Sequence, residues 1–373
     1  MAEKKLRSSN LELYRIIVML LIVAHHYVVN SGLMAQDGPI MSNVTSSKSL
    51  FLLLFGAWGK TGINCFVLIT GYFMCKSNIT LKKFCKLLFQ VLFYRIIIGG
   101  IFFLTSYEGS SFGGYVLSLI PVREIGTGFT AAFLMFFLCI PFLNILIKNL
   151  TEKQHIMLLG VVSFVYIFLG TVPLFDVNMN YVSWFIVLYF ISSYIRLYPK
   201  KIFENTLLWG ILTLVFAGVA SLSVFVCSRL NSFPPYYFVT DSNTLLAVLV
   251  GVSSFLLFKN LKIRNSKVIN TISQTCFGVL LIHANSELMR NFLWKDILDN
   301  VGMYSSEFLV PHAFLSVFGV FAVCSVIDLC RIYLIETPFF KLWDKKYDKF
   351  SDWYKKKEEK VLNFIQVKDA SEE

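Results

Sequence analysis

The sequence predicts an all-α fold: a polytopic bundle of about ten transmembrane helices with both termini in the cytoplasm. Three observations predict it. Hydrophobic residues make up 56% of the 373 positions and charged residues only 15%, whereas soluble domains average about 25% charged. Mean hydropathy is +0.66, and several apolar runs approach the roughly 20 residues that a spanning helix needs. The third is the placement of the 34 Lys and Arg residues. With the N-terminus inside, 25 of them fall in cytoplasmic segments, five in outer segments and four within spans. That bias fits ten crossings, because losing or adding one would reverse it downstream.

The first span, 11–32, follows Lys4, Lys5 and Arg7. It resembles a signal peptide only superficially. It is long, carries Arg15, His25 and His26, and lacks a small-residue cleavage site, so it reads as a retained helix. The second, 57–75, is interrupted by Lys60 and Asn64. The third, 84–106, opens behind Lys82, Lys83 and Lys86. Spans 128–148, 156–173, 181–198, 206–227 and 243–259 follow. The ninth, 272–292, contains the apolar run Phe277–Ile282 and then His283, Asn285 and Glu287. The tenth, 311–336, ends in Asp328, Arg331 and Glu336, read as mainly structural because Asp328 and Arg331 are spaced to pair. Residues 1–340 form the membrane domain. Residues 341–373 form a basic tail in which Trp343, Tyr347, Phe350, Trp353 and Tyr354 recur at helical spacing among lysines, as in a helix lying on an anionic leaflet. The alternative is a solvated charged tail.

The net charge of +11 comes from loop and tail lysines, which points to membrane lipids rather than nucleic acid. The eight cysteines lie mostly in or beside spans and show no metal-ligand spacing, so they read as small buried residues and no metal is expected. No Gly-rich phosphate loop, GxSxG elbow or internal repeat is present.

The first helix holds the densest chemistry. A charge in a membrane helix costs at least about 2.5 kcal/mol on insertion scales, so it marks a function. Arg15 and His26 are 11 residues apart. At about 100° and 1.5 Å per residue they share a face, roughly 16 Å apart along the axis. Glu12 lies one turn before Arg15 and can pair with it. His25 points about 80° to the side. The catalytic candidates are therefore His26, as general base or acyl acceptor, with Arg15 and Glu12. A buried guanidinium suits phosphate or carboxylate. Arg15, with Lys83 and Lys86 at the same membrane surface, is the candidate site for the phosphates of a cytoplasmic donor. These roles have plain structural counterparts: a helix–helix hydrogen bond between buried histidines for His26, an Arg15–Glu12 pair that only orients the helix, and a positive-inside anchor for the lysines. Lys60, Asn64 and His283, near the outer surface, are candidates for the acceptor side. Close helix packing around Gly59, Gly62 and Gly71 is an equal reading of that segment.

These segments resemble, in order, the integral-membrane acyltransferase family 3. Asn10-Leu11-Glu12-Leu13-Tyr14-Arg15, then ten residues and His26, looks like its first helix. Gly62 to Phe73, with Asn64-Cys65-Phe66 and Gly71-Tyr72-Phe73, is similar to its second. Ile140-Pro141-Phe142-Leu143-Asn144, Ser273 through His283 and Glu336-Thr337-Pro338 resemble later segments. The chain departs from the family at Thr127-Gly128-Phe129, where many members carry Tyr-Trp-Phe, and at Leu280, where they carry Tyr. The resemblance implies an O-acyltransferase that moves an acyl group, usually acetyl, from acyl-CoA to a hydroxyl of a cell-surface or lipid-linked carbohydrate. It implies a bacterial plasma membrane as the location. It carries the family's arginine and histidine onto Arg15 and His26, and its acidic partner onto Glu12. Intramembrane Arg, Lys, His and Glu also suit a transporter or flippase of a lipid-linked glycan or other anion. A catalytically silent sensor is a third reading.

Overall fold

The computed structural model describes residues 8–175, 177, 180–230, 234–346, 353 and 357. Every regular element among the described residues is helical. The chain divides into two compact units, Met1–Cys324 and Ser325–Glu373. The first contains α1 (Ser9–Val29), α2 (Pro39–Ser42), α3 (Ser47–Gly56), α4 (Gly59–Met74), α5 (Leu81–Leu104), α6 (Phe112–Ser118), α7 (Phe129–Asn149) and α8 (Glu152–Ser163). It continues with α9 (Tyr181–Leu197), α10 (Thr206–Arg229), α11 (Leu245–Asn260), α12 (Lys267–Ile272), α13 (Cys276–His283), α14 (Glu287–Asn291) and α15 (Asn300–Met303). After α15 comes α16 (Leu309–Cys330).

Among the described residues, seven helical stretches are long and apolar enough to cross a membrane: Ser9–Val29, Ser47–Met74, Leu81–Leu104, Phe129–Asn149, Glu152–Leu169, Thr206–Arg229 and Leu309–Lys346. Two further apolar helices, Tyr181–Leu197 and Leu245–Asn260, are shorter. Nine of the ten sequence-predicted spans thus have a helical counterpart of this kind. The second begins ten residues earlier than expected, because the apolar run Leu50–Phe55 continues through the Ala57–Trp58 turn into α4. The ninth, expected as one helix over 272–292, is broken. A 3-10 turn (Ser273–Thr275) leads into α13, which stops at His283, and α14 restarts behind the capping hydroxyl of Ser286.

Helix starts follow their capping residues. Ser46, Thr80, Asn180 and Asn205 each accept a hydrogen bond from the backbone N–H three residues on, and Thr151 with Gln154 forms a capping box at α8. Each such cap satisfies an amide that the helix leaves open. The core is built on α1 and α4. α1 packs on α3, α4, α11, α12 and α13, and α4 packs on α9 and α11. Gly62 permits the α1–α4 approach, since a Cβ there would lie 2.8 Å from Ile22 Cγ1.

Because lipid tails are as apolar as the core, polar side chains carry much of the helix-to-helix specificity. Tyr14 and Ser254 share a 2.6 Å hydrogen bond between α1 and α11. Asn64, fully buried, donates to the Ser242 carbonyl at 2.6 Å and accepts from Trp184 Nε1 at 2.8 Å. Asn144 accepts from the Tyr189 hydroxyl and donates to the Met74 carbonyl at 3.2 Å. Five of the eight cysteines are buried, as small apolar residues would be, while Cys330 is exposed.

In the second unit Arg331 bonds both Asp328, at 2.7 Å, and Glu336, where the helix loosens into a π-helical turn, Arg331–Glu336. The pairing read from spacing is therefore made, with Glu336 added to it. Of the expected tail helix, Tyr347, Phe350 and Tyr354 lie outside the described residues.

Replacing Asn64 by Leu leaves the Trp184 indole N–H and the Ser242 carbonyl buried without their partner. The expected loss is about 1–3 kcal/mol of stability, read as a lowered thermal midpoint of the purified protein in detergent.

Candidate active site

A cavity of about 840 Å³ opens at the end of the first unit where α1 finishes and α4, α7 and α9 begin. That volume is in the range of small-molecule sites. His25 and His26 of α1 form one wall. Lys60, Arg95, Tyr181 and Arg290 contribute polar groups, with Glu124 and Asp241 as acids.

The hydrogen bonds around the two histidines fix their tautomers. His283 Nδ1 lies 2.6 Å from the Val279 carbonyl and His283 Nε2 lies 2.8 Å from His26 Nδ1. A carbonyl only accepts, so His283 Nδ1 carries the proton. Neutral His283 then accepts at Nε2, and His26 must donate from Nδ1. This leaves His26 Nε2 as a lone pair, in the position of a general base or nucleophile. His283 is fully buried, with its ring edge-on to Trp294. The relay resembles in logic any triad in which a second group orients the base. His25 is committed elsewhere: its Nδ1 lies 2.6 Å from the Gly56 carbonyl, so it donates there. The 100° turn between neighbours sends the two rings to different partners.

Local sequence builds this wall. Gly59 opens α4 against α1, and a Cβ on it would overlap the His25 ring. Lys60 follows and donates to the Tyr181 hydroxyl at 2.8 Å, its Nζ 5.4 Å from that ring's centroid. His283 ends α13, so the helix break that sequence periodicity did not anticipate is what presents its Nε2 to α1.

The structure brings His26, His283 and Lys60 of the sequence-predicted residues to one place. The others lie elsewhere. Arg15 pairs with Glu12 at 3.0 Å, with the two side chains 22% and 10% exposed, and does not line this cavity. By helix rise it sits roughly 16 Å from His26 along α1. Lys83 donates to Ser77 Oγ and the Asn78 carbonyl, both at 2.7 Å, at the opposite end of α5. Lys83 and Lys86 are exposed, and neither lines the cavity. Asn64 has both ends of its amide engaged by Ser242 and Trp184 and is likewise not on the wall. Sequence reasoning missed Arg95, Glu124, Tyr181, Tyr236, Asp241 and Arg290. Only Arg95 carried a usable signal, a lone charge inside the apolar run of α5. Among the described residues no group of three or more His, Cys, Asp or Glu is placed to hold a metal ion.

The family model described as an acyltransferase domain, acyltransferase family 3, matches residues 8–329. Comparison with curated proteins and with solved structures finds no match.

The hydrogen-bond chain makes a direct spectroscopic prediction. With ¹⁵N-labelled histidine at neutral pH, both His26 and His283 are expected to show a protonated Nδ1 and an unprotonated Nε2. A protonated Nε2 on His26 would contradict the assignment.

Proposed function

The chain belongs to acyltransferase family 3 over residues 8–329, and on the strength of that membership and of the histidine relay we propose that it is an O-acyltransferase of the plasma membrane of a bacterium. In this reading it moves an acyl group, usually acetyl, from cytoplasmic acyl-CoA to a hydroxyl of a cell-surface or lipid-linked carbohydrate. Ten crossings complete the topology, with both termini inside and the broken segment around α13 counted as one. The apolar helices fit a membrane-embedded acyltransferase. The observation that carries the reading is the hydrogen-bond chain from His26 through His283 to the Val279 carbonyl, which assigns His26 Nε2 as the unprotonated nitrogen of a residue lining a polar cavity.

The two ends of α1 divide the work. Arg15, held by Glu12 and assisted by Lys83 and Lys86, meets the coenzyme A phosphates at the inner surface, where a guanidinium forks onto phosphate oxygens. The acceptor sugar enters the outer cavity. His26 Nε2 takes the proton of its hydroxyl as the oxygen attacks the thioester carbonyl. The new C–O bond forms, the C–S bond breaks, and the proton passes to the departing thiolate. An alternative order has His26 Nε2 attack first and hand the acyl group on. In both, His283 is a positioning residue: it holds the His26 ring and stabilises positive charge arising there. Lys60, fixed by Tyr181, orients the acceptor, while Asn64 supports the wall behind it.

Membrane vesicles fed radiolabelled acetyl-CoA and scored for label in surface polysaccharide test this. His26→Ala is expected to lower transfer by about 10²-fold or more at unchanged protein level, and retained transfer would reject the role. His283→Ala keeps the base but frees its ring, so a smaller loss is expected, mainly in kcat. Arg15→Ala is expected to weaken acyl-CoA binding. Unchanged binding of coenzyme A to purified Arg15→Ala protein would remove Arg15 from the donor site.

A further inference from the structure

A second pocket, of about 360 Å³, adjoins the histidine cavity. Arg95, Glu124, Ala284, Asn285 and Arg290 line both, so the two share a wall. The side pocket adds Arg123, Glu287 and Tyr115. It lies between the far end of α5, the α6 segment and the break between α13 and α14.

Its walls are built. Arg95 donates through Nη1 to the carbonyls of Ser118 and Ile120, at 2.7 and 2.8 Å, which folds the end of α6 back onto α5. The Tyr107 hydroxyl bonds Asp296 at 2.5 Å and ties the α5–α6 turn to the segment after α14. Those two carbonyls occupy one nitrogen of Arg95, and Glu124 interacts with its charge, while its other guanidinium N–H groups make no hydrogen bond among the described residues. The backbone N–H of Arg290 donates to the Ser286 carbonyl at 3.1 Å, but its guanidinium makes no hydrogen bond or ion pair among the described residues, and the residue is only partly exposed. Two arginines with open donors therefore stand at the junction of the pockets. An unmatched guanidinium near a membrane boundary is costly to keep, and it points to a ligand that completes it.

The walls also state the ligand's chemistry. Three arginines face two glutamates, a surplus of one positive charge. A bare polyanion would meet Glu124 and Glu287 and be repelled. A sugar with one carboxylate suits both signs. Its carboxylate takes the fork of Arg290, and its neutral hydroxyls donate to the glutamates. Tyr115, packed beside Gly99 on α5 and stacked on Phe103, adds aromatic surface to the pocket lining. The geometry points to a subsite for an acidic sugar: the acceptor is a glycan whose carboxylated unit sits in the side pocket on Arg290 and Arg95 while the neighbouring unit presents its hydroxyl to His26.

This assignment rests on the transferase reading for its second half, but its test does not need transfer. Purified protein in nanodiscs, without acyl donor, is titrated calorimetrically with a neutral-sugar trisaccharide bearing a single glucuronate unit, with the same trisaccharide reduced at that carboxyl, and with inorganic phosphate. The acidic trisaccharide is expected to bind about tenfold or more tightly than the reduced one, as one charged hydrogen-bonded group is worth. Arg290→Gln is expected to erase that preference and Arg290→Lys to retain part of it. Should Arg290→Gln fail to fold, rising salt must shrink the wild-type preference, since the contact is ionic. Equal wild-type affinity for the two trisaccharides overturns the proposal. So does a preference that survives Arg290→Gln or salt, or phosphate binding tighter than the uronide. Transfer to neutral glycans without any acidic preference would sink this subsite alone. Acidic preference without transfer would sink the transferase reading and leave the subsite standing.

Discussion

The hydrogen bond from His26 Nδ1 to His283 Nε2 is the constraint on which the site depends. It joins the first helix to a helix 257 residues later in the chain, and it has a direction only because the Val279 carbonyl fixes the far end. In water an imidazole exchanges tautomers freely. In a buried chain that ends on a backbone carbonyl, the second tautomer would leave two acceptors facing each other, at the desolvation cost of an unmade hydrogen bond. The fold thus chooses the protonation pattern of its reactive nitrogen without any acidic partner. A carboxylate in place of His283 would orient the ring equally well but would add a buried charge near an apolar bundle, which is costly in a medium of low dielectric.

That bond imposes its shape on the surrounding segments. α13 stops at His283, and the backbone is irregular up to the Ser286 cap. Irregular backbone at a membrane protein's site is tolerated where it lines a polar cavity, and Ala284 and Asn285 of this break do so. Opposite, α4 must approach α1 closely enough for Lys60 to reach the cavity, and Gly59 makes room for the His25 ring. Polar ties farther along the bundle, Tyr14 to Ser254 and Asn64 to Trp184 and Ser242, set the rotation of α1 and α4 about their own axes. Apolar packing alone sets such rotations weakly in lipid.

Much of this was legible in the sequence because hydropathy and the lysine bias report what a segment contacts on average. The helical class, the positions of most spans and the Arg15–Glu12 pair come from local periodicity. The break after His283 was not legible, because the apolar run through Ile282 reads as the start of a full span and the signal for its end is the single capping residue Ser286. The extension of the second span to Ser47 was missed for the opposite reason: Gly56 to Gly59 looks like a terminus but is only a turn between two helices. Among site residues, those on α1 could be found because one helix fixes their spacing. Glu124 and Asp241 sit in connecting segments and Arg290 in the short helix α14, where no period ties them to the histidines. Asn64 shows the limit from the other side. An amide in an apolar helix signals importance, but only the partners tell that both its ends are spent on Trp184 and Ser242.

The separation of Arg15 from the cavity has a physical rationale within the proposed reaction. Roughly 16 Å of α1 lies between Arg15 and His26, and the residues between them include the buried, apolar Val18, Met19 and Ile22. Phosphates drawn to the depth of the histidines would lose their hydration in a bundle whose walls are mostly apolar, at a cost that two or three cations offset poorly. Anchoring the charged end at the surface and admitting only an uncharged thioester arm avoids that loss. The acceptor faces a milder problem, since sugar hydroxyls exchange water for side-chain partners one by one. In the proposed reaction the polar cavity rimmed with Lys60, Arg95, Arg290, Glu124 and Asp241 would supply those partners, while the Arg15 end of the same helix would need only a paired arginine.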